Sequence, residues 1–203
     1  MKPQEIESLS FKIIEDEAGA HSFDPSQWQI VRRVIHTTAD FEYVQNIRFH
    51  PQAIERGIKA IRQGQMIITD TNMARVGMRQ SELSRFGAKT KCLIRDPEVC
   101  RVASEKGITR AKAAAEAAWA QTKDGIYVVG NAPTALLHLI ELATSTKTYP
   151  ALIVGFPVGF VNAAESKEAL LGTDIPYITN VGRKGGSNVA ASVVNALAIM
   201  AVA

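Results

Sequence analysis

Apolar residues fall along this chain in two rhythms, and the change between them gives the first outline of the fold. In the opening sixty residues the spacing is helical: Ile6, Leu9, Ile13 and Ile14 recur at intervals of three, four and one. Asp24-Pro25 then supplies an N-cap followed by proline at the first helical position, predicting a helix over about 26–38 with Ile30, Val31, Val34 and Ile35 on one face. FEYVQNIRF (41–49) reads as a short extended piece. A third helix is predicted over about 51–63, with Gly64 just past its end. Beyond it the rhythm alternates. Short apolar runs, MIIT (66–69), TKCLI (90–94), IYVVG (126–130), ALIVG (151–155) and PYITN (176–180), read as strands, and helical stretches follow them. Asp96-Pro97 and Thr109 mark helix starts, and AKAAAEAAWAQ has very high helix propensity.

Continuous apolar strands alternating with helices predict a parallel sheet covered on both faces. The expectation is an α/β fold: a three-layer, doubly wound, mostly parallel sheet of five or six strands in a flavodoxin-like order, with an N-terminal helical extension. Ligands of such sheets bind at the carboxyl ends of the strands. The chain reads as one domain over 1–203, long enough to bury a sizeable core.

Composition narrows the function. With 23 Lys and Arg against 20 Asp and Glu, the formal net charge is +3, and no block of five or six like charges occurs. This is not the balance of a nucleic-acid binder; it suits a ligand bearing several carboxylates or phosphates. Cys92 and Cys100 fit neither a CxxC nor a zinc pattern, as expected of reduced thiols in a cytoplasmic protein. The first residues hold no apolar stretch of signal-peptide length. The near-apolar run 189–203 is short for a membrane span and contains Asn195, so a soluble protein with no membrane partner is expected.

Several positions can carry chemistry. His36 and Arg33 lie one turn apart, nearly opposite the apolar face of their helix. A histidine so placed can meet a ligand; the same placement suits a surface histidine stabilised by the helix C-terminus. Ser10, in a helix of charged and apolar residues, carries no signal alone. Thr109-Arg110 at a helix start offers backbone donors and a guanidinium for a carboxylate, or simply a capping threonine beside an exposed arginine. In GNAPT (130–134), Asn131 either caps the next helix or bonds a ligand. GRKGGSN (182–188) has the chemistry of an anion-binding loop, with Arg183 and Lys184 flanking glycines, but it is neither a Walker A sequence nor GxGxxG. His21, His50 and His138 have no metal-ligand spacing, so neither a protein-built metal site nor a cofactor is expected. Asp40, Asp70 and Asp96 are candidates for capping or for orienting a neighbour. These residues describe an α/β domain that binds an anionic small molecule, with His36 as the best acid/base candidate.

Six segments go further: VIHTTADF (34–41), LIRDPEV (93–99), ITRAKAAAE (108–116), GNAPTALLHLIEL (130–142), GFPVGFVNAAESKEAL (155–170) and GRKGGSNVAAS (182–192). Together they closely resemble the precorrin-8X methylmutase family of cobalamin biosynthesis, over about residues 10–197. The resemblance implies a flavodoxin-like homodimer. It implies an isomerase that moves a methyl group on a corrinoid tetrapyrrole from ring carbon eleven to carbon twelve. The product would be hydrogenobyrinic acid, or cobyrinic acid when cobalt is present. It implies that His36 gives a proton or strong hydrogen bond to the macrocycle, that Ser10 and Arg33 touch the substrate, and that Arg110 clamps a carboxylate. Asn131 and Arg183 lie in matching loops. Imidazole ordinarily titrates near about pH 6.5, so a histidine can supply a proton near neutrality. Competing readings are a non-catalytic corrinoid carrier, a nucleotide-binding enzyme using GRKGGS as a phosphate loop, and a receiver-like module. The last lacks the expected acidic cluster, since MIITDTN offers only Asp70.

Overall fold

The structure, a computed structural model, describes residues 2–203. In chain order the helices are α1 (Pro3–Ala18), α2 (Pro25–Thr38), α3 (Tyr43–Asn46), α4 (Ala53–Arg62), α5 (Asn72–Val76), α6 (Gln80–Ser84), α7 (Pro97–Lys106), α8 (Arg110–Ala118), α9 (Pro133–Thr146), α10 (Ala163–Leu171) and α11 (Ser187–Val202). The strands are β1 (Ile47–Phe49), β2 (Ile67–Thr69), β3 (Thr90–Cys92), β4 (Ile126–Val129), β5 (Leu152–Gly155) and β6 (Tyr177–Asn180).

They form a single sheet in the order β1-β6-β5-β4-β2-β3. β2 to β6 are parallel, and β1 runs antiparallel along β6, pairing Ile47 with Asn180 and Phe49 with Ile178. Counting the parallel strands alone gives 2-1-3-4-5, the flavodoxin order, with its topological switch point between β2 and β4. The alternation of side chains explains the layers. Ile67, Ile126, Val128, Leu152 and Val154 face α4 and α11, while Ile68, Tyr127, Val129 and Ile153 face α7 to α10. β4 and β5 are buried along their whole length, as expected of central parallel strands. The alanines of α8 let it lie close against α7 and α9.

α1 and α2 extend the α4/α11 side by one more layer. Asp24 Oδ1 accepts the N–H groups of Ser26 and Gln27 at 2.8 and 2.9 Å, and Gln27 returns a bond to the Asp24 N–H. That reciprocal cap starts α2 where the sequence predicts. Its apolar face, Trp28, Ile30, Val31, Val34 and Ile35, packs chiefly on α11. α1 follows its sequence pattern less well: Ile14 is buried, but Ile6, Leu9 and Ile13 remain about half exposed. The expected extended piece at 41–49 is also corrected. Residues 43–46 close a helical turn through the bonds from Asn46 N–H to Glu42 and from Ile47 N–H to Tyr43, and only 47–49 pair with the sheet. No helix among the described residues is long and apolar enough to cross a membrane.

Candidate active site

The reciprocal cap and apolar face of α2 fix where its last turn ends, and that turn carries His36. His36 is exposed in a cleft of about 320 Å³ lined by Ser10, Ile13, Ile35, Ala39 and Phe41. Its ring tilts against Phe11 of α1, centroids 5.1 Å apart. Ser10 Oγ donates to the Ile6 carbonyl at 2.9 Å, leaving its acceptor lone pairs for a ligand. Arg33 is held one turn back, its guanidinium 5.2 Å from the Phe11 centroid and 3.2 Å from Glu7, with its side chain only 16% exposed. Sequence spacing put Arg33 on the ligand side of α2; the fold brings it to the same aromatic ring as His36, but paired with a carboxylate. It has five N–H donors, so one ion pair leaves others free for a second anion.

The switch point holds a second group. A cavity of about 560 Å³ opens beside Asp70, Arg95, Thr109, Arg110, Asn131 and Thr134. Asp70, 1% exposed at the end of β2, accepts the N–H groups of Gly130 (2.9 Å), Asn131 (2.8 Å) and Ala132 (2.8 Å). Burial pushes its carboxyl upward, while those backbone bonds pull the other way. Asp70 thus serves the turn into α9, whose N-cap, Ala132, has no side-chain acceptor. Asn131 is released from the capping role and lines the cavity, exposed. Thr109 does cap α8, accepting from Lys112 N–H at 3.1 Å, and its hydroxyl lies 2.8 Å from that of Thr134. Arg110, next in the chain, is exposed at the cavity edge. Under this turn the Tyr127 hydroxyl is buried without a partner among the described residues; burial, then the Asp70 charge, drives its phenol far above the ordinary range.

Two loops lie between the groups, 156–162 after β5 and 181–186 after β6. Phe156 accepts from the Gly186 N–H at 2.9 Å, and the Arg183 guanidinium lies 5.6 Å from the ring centroid of Phe160, which is 82% exposed. Of the two cations that flank the glycines of GRKGGSN, Lys184 is engaged within the protein: its ammonium lies 2.6 Å from Asp40 and 3.0 Å from Glu42, just beyond α2. Those contacts and Tyr43 border a shallow cavity of about 440 Å³. Burial and the Asp40 charge push the Tyr43 phenol up to about 12. Further along, Ser187 Oγ meets Thr71 Oγ1 at 2.7 Å, and a Cβ on Gly130 would fall 2.6 Å from Ser187 Cα. Glycine is therefore required at 130 for β4 and α11 to meet.

His36 and Ser10 are thus brought together, as are Arg110 and Asn131, with Arg183 on the rim between. The two groups sit at the carboxyl edge but over opposite faces of the sheet. β6 and β2 are three inter-strand steps apart, roughly 14 Å at about 4.8 Å per step.

The model of the family described as precorrin-8X methylmutase matches residues 5–200. The chain belongs to the precorrin-8X methylmutase family. It is 45% identical over 201 residues to the cobalt-precorrin-8 methylmutase of Priestia megaterium, covering 99% of this chain and 89% of that protein. It is 46% identical over 202 residues to the enzyme of the same name from Salmonella typhimurium, with 97% and 94% covered. To the precorrin-8X methylmutase of Pseudomonas aeruginosa it is 39% identical over 198 residues, 96% and 94% covered. Among solved structures, the precorrin-8X methylmutase of Thermus thermophilus superposes with a TM-score of 0.90 at 45% identity, covering 98% of this chain and 96% of that one. Precorrin-8X methylmutases are isomerases that carry out a methyl shift in cobalamin biosynthesis, and their substrate is a corrinoid.

Sequence reasoning within this methylmutase fold missed Lys167. The signal was present: Ala163, Ser166, Lys167 and Leu170 follow the i, i+3, i+4, i+7 spacing of a buried helix face, and all four are buried. The ties from Lys184 to Asp40 and Glu42, across 144 and 142 residues, had no signal in the sequence.

Proposed function

We propose that this protein moves the methyl group of precorrin-8, or of its cobalt complex, from ring carbon eleven to ring carbon twelve, and that His36 is the acid that promotes the shift. The exposed His36 in the Ser10 cleft, at the end of a rigidly capped helix, is the observation that carries this reading. The migration is intramolecular, so the protein needs little covalent chemistry. It must hold the macrocycle in one shape and stabilise the charge that develops as the methyl leaves carbon eleven. An imidazolium aimed at the ring does so by giving a proton or a strong hydrogen bond where electron density rises. Such a group is worth about 10²–10⁴-fold in rate. The acetate and propionate arms of the ring supply carboxylates for Arg110 and Arg183, and Asn131 and Ser10 supply neutral hydrogen bonds. Arg33 acts beside His36, steadied by Phe11 and Glu7.

The separation of His36 from Arg110 suits a large, flat, many-armed ligand better than a small anion. It also suits a homodimer, in which a second copy completes each pocket. Phe160 and Val161, 82% and 78% exposed on the loop beside Arg183, supply an apolar surface for that contact. A cytoplasmic site of action is supported by two unpaired cysteines, Cys92 and Cys100. The product differs from the substrate only in one methyl position, so it should bind tightly and leave slowly. The test is turnover by His36→Ala: the reading expects corrinoid binding retained and conversion lost, and full conversion by that variant would refute it.

A further inference from the structure

Lys167 is fully buried on α10, 0% exposed, and makes no ion pair among the described residues. Its Nζ donates to the Lys184 carbonyl at 2.7 Å and to Asn180 Oδ1 at 3.2 Å. Asn180 in turn donates through Nδ2 to the carbonyls of Lys184 (2.9 Å) and Val181 (3.1 Å). A buried ammonium without a counter-ion is costly, and an apolar side chain of similar length would fill the same space. Burial alone lowers its pKa to about 8. A lysine kept there in spite of that cost is serving its hydrogen bonds.

Those bonds converge on one carbonyl in the middle of a loop whose other backbone ties are at its edges, Val181 N–H to Asn46 and Gly186 N–H to Phe156 (both 2.9 Å), and a long bond from Gly159 N–H to the Arg183 carbonyl at 3.3 Å. Residues 182, 185 and 186 are glycines, with no side chains to pack and maximal freedom to lose on ordering. The pinned residue, Lys184, sends its own ammonium to Asp40 and Glu42 at the end of the helix bearing His36. The residue before it is Arg183. We infer that Lys167 is a positioning residue: by clamping the Lys184 carbonyl it fixes loop 181–186, aims Arg183 at a carboxylate of the ligand, and sets that arginine's place relative to His36. The inference rests on the corrinoid reading for the ligand but not for the clamp, so the two can fail separately.

The experiment takes the full chain without ligand, then with hydrogenobyrinic acid and cobyrinic acid, comparing wild type with Lys167→Met, Arg183→Ala and the double variant. Methionine keeps the stem and removes the donors; Lys167→Gln, which keeps a shorter donor, should fall between and carries the test if the Met variant does not fold. Amide exchange in residues 181–186 of ligand-free Lys167→Met should rise by about tenfold or more, with the sheet unchanged. Affinity for the product should fall about tenfold, whereas the same change in the Arg183→Ala background should cost less than about threefold. Unchanged exchange in the loop overturns the clamp. Losses that simply add in the double variant overturn the action through Arg183. Failure of wild type to bind either acid refutes the functional reading instead, and the exchange arm still decides the clamp.

Discussion

Replacing Asp70 should loosen the switch-point turn by an amount that depends on how many backbone donors lose their acceptor. Oδ1 holds the Gly130 N–H, and Oδ2 holds those of Asn131 and Ala132. A hydrogen bond to a charged group contributes about 1.5–3 kcal/mol net. Simple addition overshoots, because removing the carboxylate also relieves several kcal/mol of desolvation. Asp70→Ala leaves three donors without an acceptor, that of Gly130 buried and those of Asn131 and Ala132 beside the cavity, and should cost about 3–4 kcal/mol. Asp70→Asn can turn its oxygen toward Asn131 and Ala132, so that only Gly130 faces a second donor; the cost should be about 1–2 kcal/mol. For a chain of this length 1 kcal/mol moves Tm by about 2–4 °C, which puts the alanine variant roughly 6–16 °C below wild type and the asparagine variant roughly 2–8 °C below. Thermal melts with urea titration would measure both. An alanine variant melting within about 1 °C of wild type would refute the reasoning, because three orphaned donors cannot be that cheap. An asparagine variant as damaged as the alanine one would refute the donor count and make the charge itself the essential feature.

His36→Ala should melt as wild type does and keep product affinity within about threefold, while turnover falls about 10²–10⁴-fold in a single-turnover assay. Arg110→Ala should weaken product binding by about tenfold or more, as expected for loss of a charged hydrogen bond, and leave Tm within about 2 °C. Gly130→Ala forces a methyl group to within 2.6 Å of Ser187 Cα and should cost about 2–3 kcal/mol by urea unfolding, with Ser187→Ala giving no rescue because the clash is with backbone. Lys167 gives a pH dependence of defined sign. Its pKa falls from 10.5 unfolded to about 8 folded, so the unfolded chain binds the extra proton between those values and stability rises as pH increases through that window. Relative to Lys167→Met, in which other titrations cancel, wild type should gain about 2 kcal/mol between about pH 7 and 9.5, and a flat difference would show that the amine is not desolvated.

The fold was legible where one signal governed one element. The Asp24-Pro25 cap, the apolar runs of β4 and β5 and the alanines of α8 each name their structure by local chemistry. Exact strand order was not in the periodicity, because pairing is a contact between distant residues; the alternation of strands and helices led only to the expectation of a flavodoxin-like class, and the order itself is read from the structure. Two local readings gave way to tertiary context. Residues 43–46 turn helical because Tyr43 is drawn into the core, and α1 keeps Ile6, Leu9 and Ile13 half exposed because only Ile14 and Phe11 reach the layer below. In the site, helix spacing was enough to bring Arg33 and His36 to one side of α2, but it could not reveal Glu7 beside Arg33. Asn131 read as a possible cap because Asp70, sixty residues earlier in the chain, takes that duty invisibly. Lys167 was readable from the buried period of α10 and was overlooked because a lysine is ordinarily taken to mark the wet face.

The most direct measurement is visible absorption of the purified protein titrated with hydrogenobyrinic acid and with cobyrinic acid. The account predicts a spectral shift with tight, saturable binding to at least one of them, the preferred acid indicating whether the natural substrate carries cobalt, and a weaker curve for Arg110→Ala. Folded protein that leaves both spectra unchanged would contradict it, and with it the assignment of His36 and the arginines to a corrinoid.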